Sequence, residues 1–105
     1  MYILKLMKMK FDWDPVKSES NIKKHGISFD LAITVFDDPQ ALIAPDEKHS
    51  TSTETREWIV GLSDKGVLVV IFTKRLSGRL YRLISARKAN KRERKLYEEF
   101  KRLSL

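Results

Sequence analysis

Six basic side chains crowd one short stretch of this chain: Arg87, Lys88, Lys91, Arg92, Arg94 and Lys95. They fall where RLYRLISARKANKRERKLY (79–97) changes from a strand pattern to a helix pattern. A knot of cations on a rigid corner suits phosphate, which arginine grips through two oxygens at once. Two histidines, His25 and His49, add groups that change charge near neutral pH. Cysteine is absent, no carboxylates have metal-ligand spacing, and the glycines are isolated rather than gathered in a phosphate loop. An inventory of Arg, Lys and His with no metal and no cofactor suits internal cleavage of RNA. In that reaction the 2′-hydroxyl attacks the adjacent phosphodiester. A base takes its proton, a cation stabilises the phosphorane and an acid protonates the leaving 5′-oxygen. His49 is a candidate acid or base, with a lysine or a carboxylate such as Glu57 as substitute. The need for a 2′-hydroxyl would make such an enzyme blind to DNA.

The elements that position these groups are written in period and punctuation. Leu80, Ile84 and Ala86 alternate with Tyr81, Leu83 and Ser85, which predicts a strand with those two faces. Arg82 falls on the first face, where an arginine among apolar neighbours is either functional or in an ion pair. Arg87 lies an odd number of residues further on, so in a regular strand the two arginines face opposite ways unless a bulge intervenes. Asn90 and Glu93 have capping-box spacing, and Leu96, Tyr97, Phe100 and Leu103 predict a packed amphipathic helix.

Upstream, Asp14-Pro15 opens a mostly exposed helix that stops at Gly26, and Lys23, Lys24 and His25 suit its negative end. Ser28 caps a second helix, apolar nearly all round, that ends at Asp37-Asp38-Pro39. A short strand over 41–44 and the polar loop PDEKHSTST lead to strands over 57–63 and 67–73, joined by a turn at Asp64-Lys65-Gly66. Leu76-Ser77-Gly78 returns the chain into the last strand. The expectation is an α+β fold: a small antiparallel sheet of three to four main strands, two N-terminal helices and one C-terminal helix. One domain over 1–105 is expected, with 1–10 an N-terminal strand or extension. MYILKLMKMK reads as neither a membrane span nor a signal peptide.

The net charge of +7 is unevenly spread. Residues 74–105 carry 12 Lys/Arg against 3 Asp/Glu, while residues 1–73 carry 9 against 11. A basic third on a near-neutral body implies a polyanion or an acidic protein as partner. The lack of cysteine favours an intracellular, cytoplasmic protein.

Four stretches together carry a family resemblance: FDWDPVKSESNIKKHGISF, FDDP (36–39), HSTSTETREWIVG and RLISARKANKRERKLYE. In their order and spacing they resemble the BrnT family of type II toxins. The resemblance implies a RelE-like fold and a metal-independent endoribonuclease that inhibits translation. It implies a small BrnA-like antitoxin as partner, a toxin–antitoxin heterotetramer, and operator DNA bound only through that complex. It assigns catalytic roles to His49, Arg56, Arg82 and Arg87, and RNA contact to Ser85. Lys88, Lys91 and Arg92 of the basic corner join Ser85 as expected RNA-binding residues. Asn90 stands where the family often has Thr, a swap between two N-cap residues.

Two other readings fit the same residues. One is a basic module that binds nucleic acid without cutting it, and the other is an interaction domain whose basic helix docks on an acidic protein. Arg56 for its part has Glu54 and Glu57 close by as ion-pair partners.

Overall fold

Asp14 holds an extended backbone and accepts a hydrogen bond at Oδ1 from the Val16 N–H (2.8 Å), which opens helix α1 (Pro15–His25). Gly26 ends it in the left-handed conformation, φ +70°, with its N–H on the Ile22 carbonyl. The Ser28 hydroxyl caps helix α2 (Phe29–Ala32). After that single turn the chain tightens into a 3₁₀ helix over Ile33–Asp37, so the expected second helix is present in two pitches. The structure, a computed structural model, describes residues 9–103, and most of the strand expected over 1–10 lies outside them.

The sheet has five strands: β1 (Lys10–Asp12), β2 (Leu42–Pro45), β3 (Arg56–Ser63), β4 (Gly66–Arg75) and β5 (Leu80–Lys88). Their order is β1-β5-β4-β3-β2. The expectation of three to four antiparallel strands is corrected here, because β1 joins the outer edge of β5 in parallel and the sheet is mixed. Helix α3 (Lys91–Leu103) follows β5.

One face of the sheet packs under α1, α2 and the 3₁₀ turn. Ile27, Phe29, Val35, Ile59, Leu68, Val70, Phe72 and Leu83 are buried there, and the rings of Phe11, Phe36, Phe72 and Tyr81 meet edge-on, tilted or stacked. Gly61 lets the 3₁₀ turn lie against β3, since a Cβ there would sit 3.0 Å from Val35 Cβ. On the opposite face a smaller core of Val60, Val67, Val69, Ala89 and Tyr97 lies beneath α3. The predicted packed stripe of α3 is corrected: only Tyr97 is buried, while Leu96, Phe100 and Leu103 are 43%, 48% and 80% exposed. The helix buries one residue against the sheet and leaves much of that face open.

Two polar groups tie the layers together. Asn21, the one buried residue of α1, donates through Nδ2 to the Ile27 and Ala86 carbonyls (2.9 and 2.7 Å). Its Oδ1 accepts from the Ala86 N–H (3.0 Å). Asp38 accepts from the Leu62 and Gln40 N–H groups and from the Tyr97 hydroxyl, which joins the 3₁₀ turn, β3 and α3. Burial pushes the Asp38 carboxyl up, but the hydrogen bonds from Tyr97, Leu62 and Gln40 outweigh it and hold it below the usual range. Burial and the same carboxylate raise the Tyr97 phenol.

Candidate active site

The face left open by α3 carries the site, and one irregularity decides who stands on it. Along β4 and β5, Thr73 pairs with Arg82 and Phe72 with Leu83, but Ile71 pairs with Ser85, so Ile84 is an extra residue in β5. A bulge of this kind resets the alternation. Tyr81, Leu83 and Ala86 therefore share the α1–α2 core, which corrects the face assignment expected from simple alternation. Arg82, Ser85 and Arg87 pair with Thr73, Ile71 and Val69 and share the open face. The bulge is what allows the two arginines to point the same way.

Arg56 of β3 and Arg82 of β5 are both cross-strand partners of Thr73, so the three side chains stand abreast on that face. Asp12 of β1 extends the row beyond Arg82. Its carboxylate takes two hydrogen bonds from Arg82, at 3.1 Å from Nε and 3.0 Å from Nη2, and these hold it below the usual carboxylate range. Arg56 Nε donates to Glu54 (3.1 Å), whose other oxygen receives Arg75 (3.3 Å). A small cavity of about 120 Å³ opens among these groups, lined by Lys17, Glu54, Arg56, Thr73, Arg75 and Arg82 together with Asp14, Leu83 and Ile84. Its four cations outnumber Asp14, Glu54 and the nearby Asp12 by one. Thr73 is 2% exposed, and its Oγ1 has no hydrogen-bond partner. An unmet buried hydroxyl of this kind costs about 1–3 kcal/mol.

His49 and Arg87 line a second, larger cavity of about 350 Å³ between the sheet and α3. Arg87 donates to both oxygens of Glu93 (2.7 and 2.8 Å), and Glu93 also accepts from the Asn90 N–H to complete the capping box. Arg87, and after it the Asn90 N–H, keep the Glu93 carboxyl below its usual range against the opposing effect of burial. His49, of the 3₁₀ turn Glu47–His49, has its Nδ1 3.0 Å from Asp46 Oδ2, on a side chain 60% exposed. The loop carrying His49 is tied to Arg56, because Asp46 N–H donates to the Arg56 carbonyl (2.7 Å) and Arg56 N–H to Ser50 Oγ (2.9 Å).

The expected catalytic residues thus divide, with Arg56 and Arg82 in the smaller cavity and His49 and Arg87 in the larger. Ser85 lies on the same face between them. Lys88, Lys91 and Arg92 are exposed at the corner and line neither cavity; Lys88 pairs with Leu68 and so faces the other side. Glu57 pairs with Phe72, on the face opposite Arg56, and its partner is Lys74. Lys17, Thr73 and Arg75 escaped the sequence reading because only the pairing of the strands and the docking of α1 bring them to Arg82. Among the described residues no group of three or more metal-ligating side chains is present.

Fold and site together define a small α+β protein with an arginine-lined cleft on one face of its sheet. The family model of the ribonuclease toxin BrnT of type II toxin–antitoxin systems matches residues 13–93, well over half of the chain. The chain belongs to that family, and an antitoxin partner follows from the membership. The matched stretch spans Lys17 to Glu93 of the site but begins one residue after Asp12. No curated protein is similar enough to the chain to count as a relative. No helix among the described residues is long and apolar enough to cross a membrane.

Proposed function

We propose that this chain is a metal-independent endoribonuclease that cuts RNA through its own 2′-hydroxyl and so inhibits translation in the cytoplasm. The observation that carries the reading is the row Arg56–Thr73–Arg82, two guanidiniums flanking a buried hydroxyl without a partner. The scissile phosphate sits in the smaller cavity, with Lys17 and Arg75 adding positive charge. As the 2′-oxygen bonds to phosphorus, the bond to the 5′-oxygen breaks, which leaves a 2′,3′-cyclic phosphate and a 5′-hydroxyl. The 2′-proton passes to a base and the 5′-oxygen gains one from an acid. His49, held by Asp46 at Nδ1 on the loop tied to Arg56, serves one of these transfers. Glu54 is the carboxylate in the smaller cavity nearest in the fold to Arg56, and it serves the other. Charge on the phosphorane is met by donors already fixed in place, which is the larger part of catalysis in such sites.

Ser85 and Arg87, on the same face as Arg82, and then Lys91 and Arg92 at the corner extend the path for the strand beyond the cut, while Lys88 faces the other side of the sheet. The antiparallel β3–β5 with α3 following supports the RelE-like fold that the resemblance implies, and two toxins bridged by an antitoxin dimer is the assembly it implies. The exposed corner of Lys88, Lys91 and Arg92, outside both cavities, favours a second reading as a module that binds nucleic acid without cutting.

The test is cleavage of single-stranded RNA in EDTA by the wild-type chain and by Arg82→Ala, with a 2′-deoxy residue at the cut site as control. Wild type cuts, the control strand survives, and Arg82→Ala loses about 10²–10³ in rate. Salt-sensitive binding to RNA and DNA alike, with no cutting even when ribosomes are supplied, would leave the second reading.

A further inference from the structure

We propose that the larger cavity is a nucleobase pocket that receives one base of the RNA strand whose phosphate occupies the smaller cavity. The proposal rests on the ribonuclease reading above and adds to it a source of sequence preference.

The open face of the sheet is banded. Arg82, Thr73 and Arg56 form one row; Ser85, Ile71 and Trp58 form the next; Arg87, Val69 and Val60 form the third. The first and third rows are four residues apart on β4, roughly 13 Å at strand spacing. An indole and an isoleucine therefore lie midway between two arginine-bearing rows, which is the alternation of phosphate and base that a single strand presents. The walls of the cavity are apolar (Leu42, Trp58, Val60, Val69, Ile71 and Leu96), and its volume of about 350 Å³ is at the small end for ligand sites. Its rim is polar on two sides, with the Arg87–Glu93 pair on one and the Asp46–His49 pair on the other. A flat ring with donors and acceptors along its edge matches both parts. An aliphatic side chain from a protein partner would fill the walls but make no use of the donors and acceptors on the rim.

The experiment measures binding of fluorescein-labelled 2′-O-methyl tetranucleotides, which cannot be cut, with an abasic residue placed at each position in turn. The expected result is a loss of roughly tenfold or more at one position only, with the other three positions changing little. In Trp58→Leu, which keeps apolar volume, the intact strand and the strand abasic at that position bind alike. Trp58→Phe, which keeps a ring, restores part of the difference and covers the case in which the leucine variant does not fold. Equal binding of all abasic strands to wild type overturns the pocket and leaves the phosphate site standing. Failure of every strand to bind overturns both.

Discussion

Asn21 satisfies both backbone groups of Ala86, a residue 65 positions later in the chain. Strand β1 ends at Asp12, opposite Arg82, so the outer edge of β5 beyond that point has no strand beside it. The amide of Asn21 takes the place of one, with donor and acceptor on a single side chain, and also holds the Ile27 carbonyl at the exit of α1. It thereby fixes α1, and Lys17 with it, against the strand that bears the candidate catalytic arginines. Asn21→Ala leaves the N–H and C=O of Ala86 buried without partners and is expected to lose about 3 kcal/mol of stability, read from urea unfolding. Asn21→Asp keeps the acceptor but loses the two donated bonds, and so is expected to be destabilised as well. Wild-type stability in the alanine variant would refute this role.

Ile84 has an unusual status, because the pairing on either side of it is regular once it is left out. Leu83 pairs with Phe72 and Ser85 with Ile71, adjacent positions on β4. Deleting Ile84 is therefore expected to keep the register, the faces and the fold, whereas deletions inside strands usually reverse every side chain beyond them. The smaller cavity, which Ile84 helps to wall, would change shape, and RNA cleavage is expected to fall at least tenfold with the far-ultraviolet circular dichroism unchanged. An unfolded deletion variant would show that the bulge is required for folding rather than for shaping the site.

The Asp38 carboxyl has a folded pKa below its unfolded value, as do those of Asp12 and Glu93. Groups of this kind add stability that is fully present above the unfolded value, about 4, and is lost as pH falls through the folded value. Thermal midpoints are expected to be level between pH 7 and about pH 5 and to drop below about pH 4. Asp38→Asn should lower the midpoint at pH 7 and flatten the acid slope without abolishing it, since Asp12 and Glu93 still titrate. An acid slope identical to that of wild type would remove Asp38 from the explanation.

Much of the frame was legible because its signals are local. Asp14 and Gly26 bound α1, Ser28 opens α2, and Asn90 with Glu93 forms the capping box, each through contacts within a few residues. The faces of β5 were not legible, because a bulge leaves no mark on composition and shifts the alternation by one. The stripe of α3 misled for a different reason: its spacing reports what the helix can bury, while the connection from β5 decides how much sheet it reaches. The partners of the arginines were half visible. Glu54 lies near Arg56 in sequence, but Asp12 reaches Arg82 only through a parallel pairing that joins the two ends of the fold. Thr73, buried in an apolar strand, had no signal at all.

Glu93 serves two masters at once, closing the first turn of α3 and gripping Arg87 at the wall of the larger cavity. Whatever draws Arg87 away, whether a phosphate or a carboxylate of the antitoxin, takes one partner from that carboxylate and leaves it free to hold Asn90 alone. A ligand that draws on Arg87 is thereby expected to be felt at the first turn of α3, whose capping box shares that carboxylate. The amide protons of that turn are expected to exchange with solvent at a different rate once Arg87 is engaged elsewhere, which hydrogen exchange would read.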